Sequence, residues 1–238
     1  MTFVGSGDAF GSGGRLQTCI LVESAEVRFA LDFGTTSLVG LRRLGIHPNS
    51  IDGVVLTHLH GDHCGGVPFL LLDAMLGARR TEPLTVLGPA GTEGHLARLQ
   101  EALFPGSAGM VPGFPLQVLE IRPGVPLPWA GTEITAVEAR HTLQTNPLAV
   151  RVGLAGRSVA YTGDGELTET LAALVDGVDL LVAECYFYDR PVRWHLNYPD
   201  IAGLAAKRLV LTHMHENMLA HVDDVHETCA YDGLVLTV

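Results

Sequence analysis

One stretch limits what this chain can fold into more than any other, because it crowds four chemically active side chains behind an apolar segment. It reads LTHLHGDHCGG, residues 56–66. In an extended segment His58 and His60 project from the same side, and Gly61 permits a sharp turn that carries Asp62 and His63 to a second point nearby. One histidine would be ordinary in a polar surface loop. Four potential ligands are not, and their spacing predicts two adjacent metal ions.

Two ions need more ligands than this run supplies, and three further candidates each follow an apolar segment. Imidazole and carboxylate groups suit zinc, and also iron or manganese. The candidates are His141 after Ile134–Val137, Asp164 after Val159–Thr162, and His213 after Leu209–Thr212. Because functional groups in α/β proteins commonly lie beyond the carboxyl ends of strands, these residues are expected at one edge of the fold.

Apolar runs of strand length alternate with helical patterns along the whole sequence. The predicted strands are Thr18–Val22, Val27–Leu31, Gly53–Thr57, Leu84–Leu87, Val118–Ile121, Glu133–Glu138, Leu148–Leu154, Ser158–Thr162, Leu180–Glu184, Leu209–Thr212 and Gly233–Val238. The predicted helices are Ser37–Leu44, Val67–Leu76, Glu93–Leu103, Leu167–Val175 and Asp200–Ala206. The sequence contains no repeat of fixed period and no low-complexity linker between these elements. A single α/β domain with mixed sheets is therefore expected over residues 1–238.

The charge balance bears on the partners of the protein. The 238 residues include 15 Lys and Arg against 26 Asp and Glu, a formal net charge of −11. This excess of acid argues against long nucleic acid and anionic membranes as partners. The sequence has no evident signal peptide and no apolar run long enough to span a membrane. Its four dispersed cysteines form no CxxC pair, so we expect a cytoplasmic protein with reduced thiols.

Together these residues resemble a known family. The run LTHLHGDH matches the HxHxDH signature of the metallo-β-lactamase superfamily, and His141, Asp164 and His213 follow in that family's order. The opening FVGSGDAFGSGGR and the later Asp32-Phe33-Gly34 are most similar to the ribonuclease Z and PhnP-like phosphodiesterase branch. The resemblance covers nearly the whole chain. It implies an αββα sandwich, in which two mixed sheets pack face to face with helices outside.

The resemblance also implies a role for each candidate ligand. The first divalent ion would be held by His58, His60 and His141. The second would be held by Asp62, His63 and His213, with Asp164 bridging the two ions. Zinc is the expected metal, with manganese or iron as alternatives. Water between two such ions would act as hydroxide near neutral pH, and Asp62 would orient it while ligating.

A proton for the leaving group is the other requirement. In the ribonuclease Z-like branch a Glu–His pair is thought to supply it, and the matching residues are Glu184, after an apolar strand, and His195 in RWHLNYPD. A carboxylate that orients an imidazole is a sound arrangement for acid catalysis. The alternative for His195 is a histidine at the start of a helix whose ring is satisfied by the backbone.

The sequence also departs from both named activities. Ribonuclease Z enzymes that mature transfer RNA carry a protruding arm between the residues matching His141 and Asp164, and here two predicted strands fill that interval. PhnP-like proteins carry an extra cysteine-rich zinc site, and the four scattered cysteines of this sequence give no such cluster. A small phosphodiester, such as a cyclic nucleotide or cyclic sugar phosphate, is therefore the expected substrate. Two alternatives remain open: hydrolysis of a lactone, thioester or β-lactam, and a non-hydrolytic metal-binding or iron redox protein.

Three further features have separate interpretations. The opening GSGDAFGSGG has Phe10 where a nucleotide-binding loop would have its third glycine, so a turn near the cleft is the better account. His215 is assigned to a surface loop, with contact to substrate as the alternative. Superfamily members of this type often form dimers, so a homodimer is expected, with the apolar Val67–Leu76 assigned to the core.

Overall fold

The computed structural model describes residues 1–238 and contains two β-sheets. The first sheet has six strands: β1 (Thr2–Gly5), β2 (Cys19–Glu23), β3 (Arg28–Leu31), β4 (Gly53–Val55), β5 (Leu84–Gly88) and β6 (Leu116–Glu120). They lie side by side in chain order. The pairs β1–β2 and β2–β3 are antiparallel, whereas β3 to β6 are parallel, so the sheet is mixed.

The second sheet has seven strands, also in chain order. They are β7 (Leu127–Trp129), β8 (Thr132–Glu138), β9 (Leu148–Leu154), β10 (Arg157–Tyr161), β11 (Leu180–Glu184), β12 (Leu209–Thr212) and β13 (Thr228–Cys229). The pairs from β7 to β10 are antiparallel, and those from β10 to β13 are parallel. Strands β8, β10, β11 and β12 therefore point in one direction and end at the same edge.

Helices cover the outer face of each sheet. They are α1 (Ser37–Arg43), α2 (Gly61–Cys64), α3 (Val67–Leu72), α4 (Thr92–Leu103), α5 (Glu169–Val175), α6 (Tyr198–Ile201) and α7 (Glu216–Leu219). A π-helical segment, Asp73–Gly77, continues α3. None of these helices combines the length and the hydropathy that a membrane span requires.

Side-chain alternation along the strands divides the core into three layers. In β4, Val55 belongs to the 20-residue cluster between the sheets, and its neighbour Val54 belongs to the cluster under α1, α3 and α4. In β11, Val182 and Leu181 divide in the same way between the central cluster and the cluster under α5, α6 and α7. The order is therefore helix, sheet, sheet, helix, and the expected αββα sandwich is confirmed.

Two of the predicted elements are wrong. The end of the chain, Gly233–Val238, forms no strand, although it makes an isolated bridge between Val235 and Thr2. Its Gly233 has φ +91°, a conformation that an extended strand does not include. The helix predicted for Asp200–Ala206 is instead Tyr198–Ile201, because the backbone N–H of Asn197 donates to the Asp200 carboxylate and starts the helix earlier. Three short strands, β1, β7 and β13, were not predicted.

Removing a large side chain from the central cluster tests how much that layer stabilises the fold. Phe29 is fully buried and meets Trp129 edge to face, with ring centroids 5.8 Å apart. We expect Phe29→Ala to lower the free energy of unfolding by about 3–5 kcal/mol in urea denaturation. The matched control is Phe10→Ala, since Phe10 is 81% exposed and its loss should change stability by about 0.5 kcal/mol or less. Similar losses in the two variants would contradict the assignment of this core.

Candidate metal centre

The run of histidines begins where β4 ends, and its second half lies in the short helix α2. This helix packs so closely on the segment after β3 that only glycine fits. A Cβ added to Gly66 would lie 2.1 Å from the carbonyl oxygen of Gly34, and one added to Gly34 would lie 2.3 Å from that of Asp62. The two glycines that follow HGDHC and the glycine of Asp32-Phe33-Gly34 thus let the run dock against the first sheet.

Three histidines converge with their ring nitrogens facing one another. The Nε2 atoms of His58 and His141 each lie 3.1 Å from Nδ1 of His60. Zn–N bonds of about 2.0–2.1 Å in tetrahedral geometry would set ligand nitrogens about 3.3–3.4 Å apart, close to this spacing. The three rings form the first donor set.

A second donor set lies beside the first. Nε2 of His63 is 3.2 Å from Oδ2 of Asp62 and 3.3 Å from Oδ1 of Asp164. Nε2 of His213 is 3.3 Å and 3.5 Å from the same two oxygens. Nε2 of His63 and Oδ1 of Asp164 are buried and make no hydrogen bond in the protein. Buried polar atoms are rarely left unpaired, so this donor set fits a cation.

Asp164 connects the two sets through its two carboxylate oxygens. Oδ1 faces His63 and His213, whereas Oδ2 lies 4.0 Å from Nδ1 of His195. Donor atoms of His141, Asp164 and His195 also lie within 4.8 Å of one another. A carboxylate oxygen of Asp164 thus lies within 4.8 Å of a donor nitrogen of His141 in the first set, while Oδ1 faces the second set, and a bridging ligand requires such a position.

Hydrogen bonds at Nδ1 of His58 and His63 determine which nitrogen of each ring carries the proton. The hydroxyl of Thr57 donates to Oδ2 of Asp32 at 2.8 Å, so His58 Nδ1, 3.1 Å away, is the donor to that hydroxyl. His63 Nδ1 donates to the same Asp32 oxygen at 2.7 Å. Both rings then present a bare Nε2, which is how metal-binding histidines are held.

Asp32 supports the proposed ligands, although in the sequence it stands out only as part of the family pattern Asp32-Phe33-Gly34. It is fully buried and also accepts the backbone N–H of Thr57 at 2.8 Å. Its φ of +56° is unusual for a residue other than glycine. His213 and Trp194 share this feature, with φ of +55° and +71°, and Trp194 accepts a hydrogen bond from His141 Nδ1 through its carbonyl. Three of the seven non-glycine residues with positive φ thus belong to or support the donor sets.

An isosteric change at Asp32 tests this support. In Asp32→Asn the new amide group would face donors from Thr57 or His63, so His63 would lose its fixed orientation. We expect affinity for zinc to fall roughly tenfold to a hundredfold, measured by competition with a chromogenic chelator. Asp176→Asn, at an exposed position, is the control. An unchanged affinity in a folded Asp32→Asn protein would remove Asp32 from the site.

Burial and neighbouring charges set the protonation of the donors. Burial, together with the other histidines, holds the pKa values of His58 and His60 below the usual range, so both rings are neutral. Burial raises the pKa of Asp164, but the charges of His213 and His63 outweigh it and hold the pKa well below the ordinary value. Burial lowers the pKa values of His63 and His213, but the Asp164 carboxylate outweighs it and raises both well above the ordinary value. These two rings would therefore release a proton when a cation binds, because neutral imidazole and ionised carboxylate are the forms that bind metal.

Glu184 and His195 form a pair beside the second donor set. His195 Nδ1 donates to Oε1 of Glu184, a fully buried carboxylate. The other oxygen of Glu184 accepts the backbone N–H groups of Gly165 and Leu196. Burial lowers the pKa of His195, but the Glu184 carboxylate outweighs it and raises the pKa above the ordinary value. Oε1 also lies 3.5 Å from Nδ1 of His213, so the pair adjoins the proposed ligands.

Several of these groups line a small cleft. Its volume is about 160 Å³, and it is lined by Ala9, Phe10, His60, Asp62, His141, Asp164, Tyr186, His195 and His213. The glycine-rich opening of the chain thus contributes Ala9 and Phe10. His215 does not line the cleft: its Nδ1 accepts the backbone N–H of Asn217 at the start of α7, and its ring stacks on Phe187. Cys64 is a buried thiol whose pKa burial raises to about 12.

The sequence matches a known domain family over most of its length. A profile described as the beta-lactamase superfamily domain matches residues 32–214, which include every donor named above. The chain belongs to the beta-lactamase superfamily. A relative within this superfamily, ribonuclease Z of Bradyrhizobium diazoefficiens, is 27% identical over 272 residues, covering 90% of this chain and 89% of the relative. The alignment is longer than the 238-residue chain, so the relative contains insertions.

Solved structures of superfamily members have the same architecture. Human tRNase Z, short form, matches with a TM-score of 0.78 at 21% identity, covering 99% of this chain and 98% of the other. A diphosphatase of the PhnP family matches with a TM-score of 0.75 at 20% identity, covering 100% and 96%. In the present protein, a tight turn joins β9 and β10 between His141 and Asp164, so no arm projects there.

Proposed function

We propose that this protein is a binuclear metal-dependent phosphodiesterase that hydrolyses a small phosphodiester. The observation that carries the proposal is the position of Asp164 between two donor sets whose atoms are spaced as metal ligands. His58, His60 and His141 would hold one divalent ion, and Asp62, His63 and His213 the other. The names ribonuclease Z and diphosphatase among the similar proteins support hydrolysis of phosphate esters.

The bound ions, with zinc favoured by the imidazole-rich donor sets, would lower the pKa of water and offset negative charge on the phosphate. The chain itself supplies orientation and protons. Asp62 uses Oδ2 toward His63 and His213, which leaves Oδ1 to accept a hydrogen bond from the attacking water. The water oxygen bonds to phosphorus as the bond to the leaving oxygen breaks. One proton of the water passes to solvent.

Protonation of the leaving oxygen is assigned to His195. Its Nδ1 is committed to Glu184, so its Nε2 is the nitrogen available in the cleft. The raised pKa keeps this ring protonated to higher pH than a free imidazole, as an acid requires. After giving its proton to the leaving alkoxide, the ring regains one from solvent, and Glu184 keeps it oriented throughout.

The size and charge of the site favour a small substrate. A cleft of about 160 Å³ accommodates a phosphate group. The net charge of −11 opposes binding of a long polyanion, and no arm projects between β8 and β10 to hold one. The similarity to ribonuclease Z nevertheless makes RNA the second candidate substrate, because that relative's name denotes action on RNA.

A substrate panel on the zinc-loaded protein tests the proposal. We expect turnover of bis(p-nitrophenyl) phosphate and of a cyclic nucleotide, and no cleavage of a precursor transfer RNA. Cleavage of that RNA would instead favour RNA, the second candidate substrate. Hydrolysis of a lactone or thioester without any phosphodiester turnover would overturn the proposal in favour of a carbon esterase. A full iron complement with oxygen consumption would favour a redox protein instead.

A further inference from the structure

Tyr186 lies beside the proposed acid, at a position to which the reaction above assigns no role. It follows β11 and is fixed through its backbone on both sides. Its N–H donates to the carbonyl of Leu196 at 2.8 Å, and its carbonyl accepts the N–H of His215 at 3.1 Å. The side chain thus lines the metal cleft from a backbone with little freedom to move.

The ring of Tyr186 stacks on the imidazole of His195. The ring centroids are 4.4 Å apart and the planes differ by 20°. His195 is therefore held in two ways: Glu184 binds an edge of the ring through Nδ1, and Tyr186 covers one face. The hydrogen bond restrains the ring at one atom, and the stacked tyrosine also restricts its tilt toward that face.

The hydroxyl of Tyr186, a residue that lines the cleft, makes no hydrogen bond within the protein. Burial raises its pKa to about 12, and the carboxylates of Asp8, Glu184, Asp164 and Asp62 add to the effect. A tyrosine hydroxyl is a hydrogen-bond donor at neutral pH. An unused donor on a residue that lines the cleft, beside the proposed ligands Asp62, Asp164 and His213, suits an anionic substrate.

We propose that Tyr186 has two functions in this site: its ring positions His195, and its hydroxyl donates a hydrogen bond to a non-bridging oxygen of the bound phosphate group. This inference rests on the proposed phosphodiesterase function and adds to it the group that recognises the phosphate. No bond to Tyr186 forms or breaks in the reaction.

Tyr186→Phe separates the hydroxyl from the ring, because the phenyl ring can stack as before. We expect the Kd of inorganic phosphate for the zinc-loaded protein, measured by calorimetry, to rise about tenfold, as for one hydrogen bond to a charged group. The control is Tyr231→Phe, which removes a hydroxyl from a tyrosine that is more than half exposed outside the cleft. Equal phosphate affinity in Tyr186→Phe and the unmodified protein would overturn the role of the hydroxyl.

Tyr186→Leu removes the ring, and two readouts follow its effect on His195. The first is the ratio of kcat/KM for methyl p-nitrophenyl phosphate to that for methyl phenyl phosphate, two diesters that differ only in how much the leaving group needs a proton. The ratio should rise in Tyr186→Leu, as it should in His195→Ala, and stay unchanged in Tyr186→Phe. The second is the NMR signal of the His195 ring proton bonded to Glu184, which should broaden in Tyr186→Leu.

These readouts distinguish the failure of the two proposals. If the zinc-loaded protein hydrolyses neither diester, the phosphodiesterase function is wrong, while phosphate calorimetry and the His195 signal still decide the roles of Tyr186. If it hydrolyses both, and Tyr186→Leu leaves the ratio and the signal as they were in a protein of unchanged melting temperature, the positioning role is wrong and the phosphodiesterase function stands.

Discussion

Replacing Asp164 with asparagine should reduce kcat/KM for a phosphodiester at least about a thousandfold, which corresponds to about 4 kcal/mol of lost transition-state stabilisation. An amide has the shape of the carboxylate but lacks its charge and offers only one acceptor oxygen. It cannot serve two cations from its two sides, as the orientation of Oδ1 and Oδ2 indicates for Asp164. The variant should therefore lose metal as well as activity.

Metal analysis after dialysis gives the direct measurement. We expect about two zinc ions per chain in the unmodified protein and fewer in Asp164→Asn, with no recovery of activity when zinc is added back. Protein stripped by a chelator, in contrast, should regain activity with zinc. Asp176→Asn, at an exposed position, is the matched control and should behave as the unmodified protein does. Two bound ions and nearly full activity in Asp164→Asn would contradict the bridging role.

The sequence predicted where the proposed ligands lie because they follow strands of the same direction. His141, Asp164 and His213 come after β8, β10 and β12, which run in the same direction. In the sequence, these strands are visible only as apolar runs separated by turns and helices. Shared direction brings their carboxyl ends to one edge. These three side chains lie beside the histidine run in the structure, and their positions after strands are the only feature of the sequence that predicts it.

Contacts that depend on exact register were beyond the reach of the sequence. Asp32 meets His63 only because β3 pairs with β4 and because its own backbone adopts a positive φ, and neither is visible in the letters DFG. The stacking of Tyr186 on His195 depends on a loop conformation of the same kind. The segment Gly233–Val238 shows the opposite failure. Its apolar pattern is that of a strand and its backbone bonds to Met1 and Phe3, but the pairing amounts to an isolated bridge.

Loss of the proposed acid should depend on the leaving group. We expect His195→Ala to lower kcat/KM for methyl phenyl phosphate by about a hundredfold to ten-thousandfold, the usual contribution of general acid catalysis, and to have a much smaller effect on the p-nitrophenyl ester. Phenolate needs the proton that His195 supplies, whereas p-nitrophenolate leaves without one. Glu184→Gln should change activity in the same direction, because it removes the carboxylate that raises the pKa of His195. The exposed His226→Ala is the control.

Metal content decides between two roles that the geometry allows for His195. Its donor atoms lie within 4.8 Å of those of His141 and Asp164, so the ring could also complete the coordination of an ion. As a ligand, its loss would reduce the zinc content and slow both esters by the same factor. As an acid, its loss would leave two ions in place and change only the ratio between the esters. The hydrogen bond from Nδ1 to a buried carboxylate is compatible with either role, because it leaves Nε2 facing the cleft both for a cation and for a leaving group.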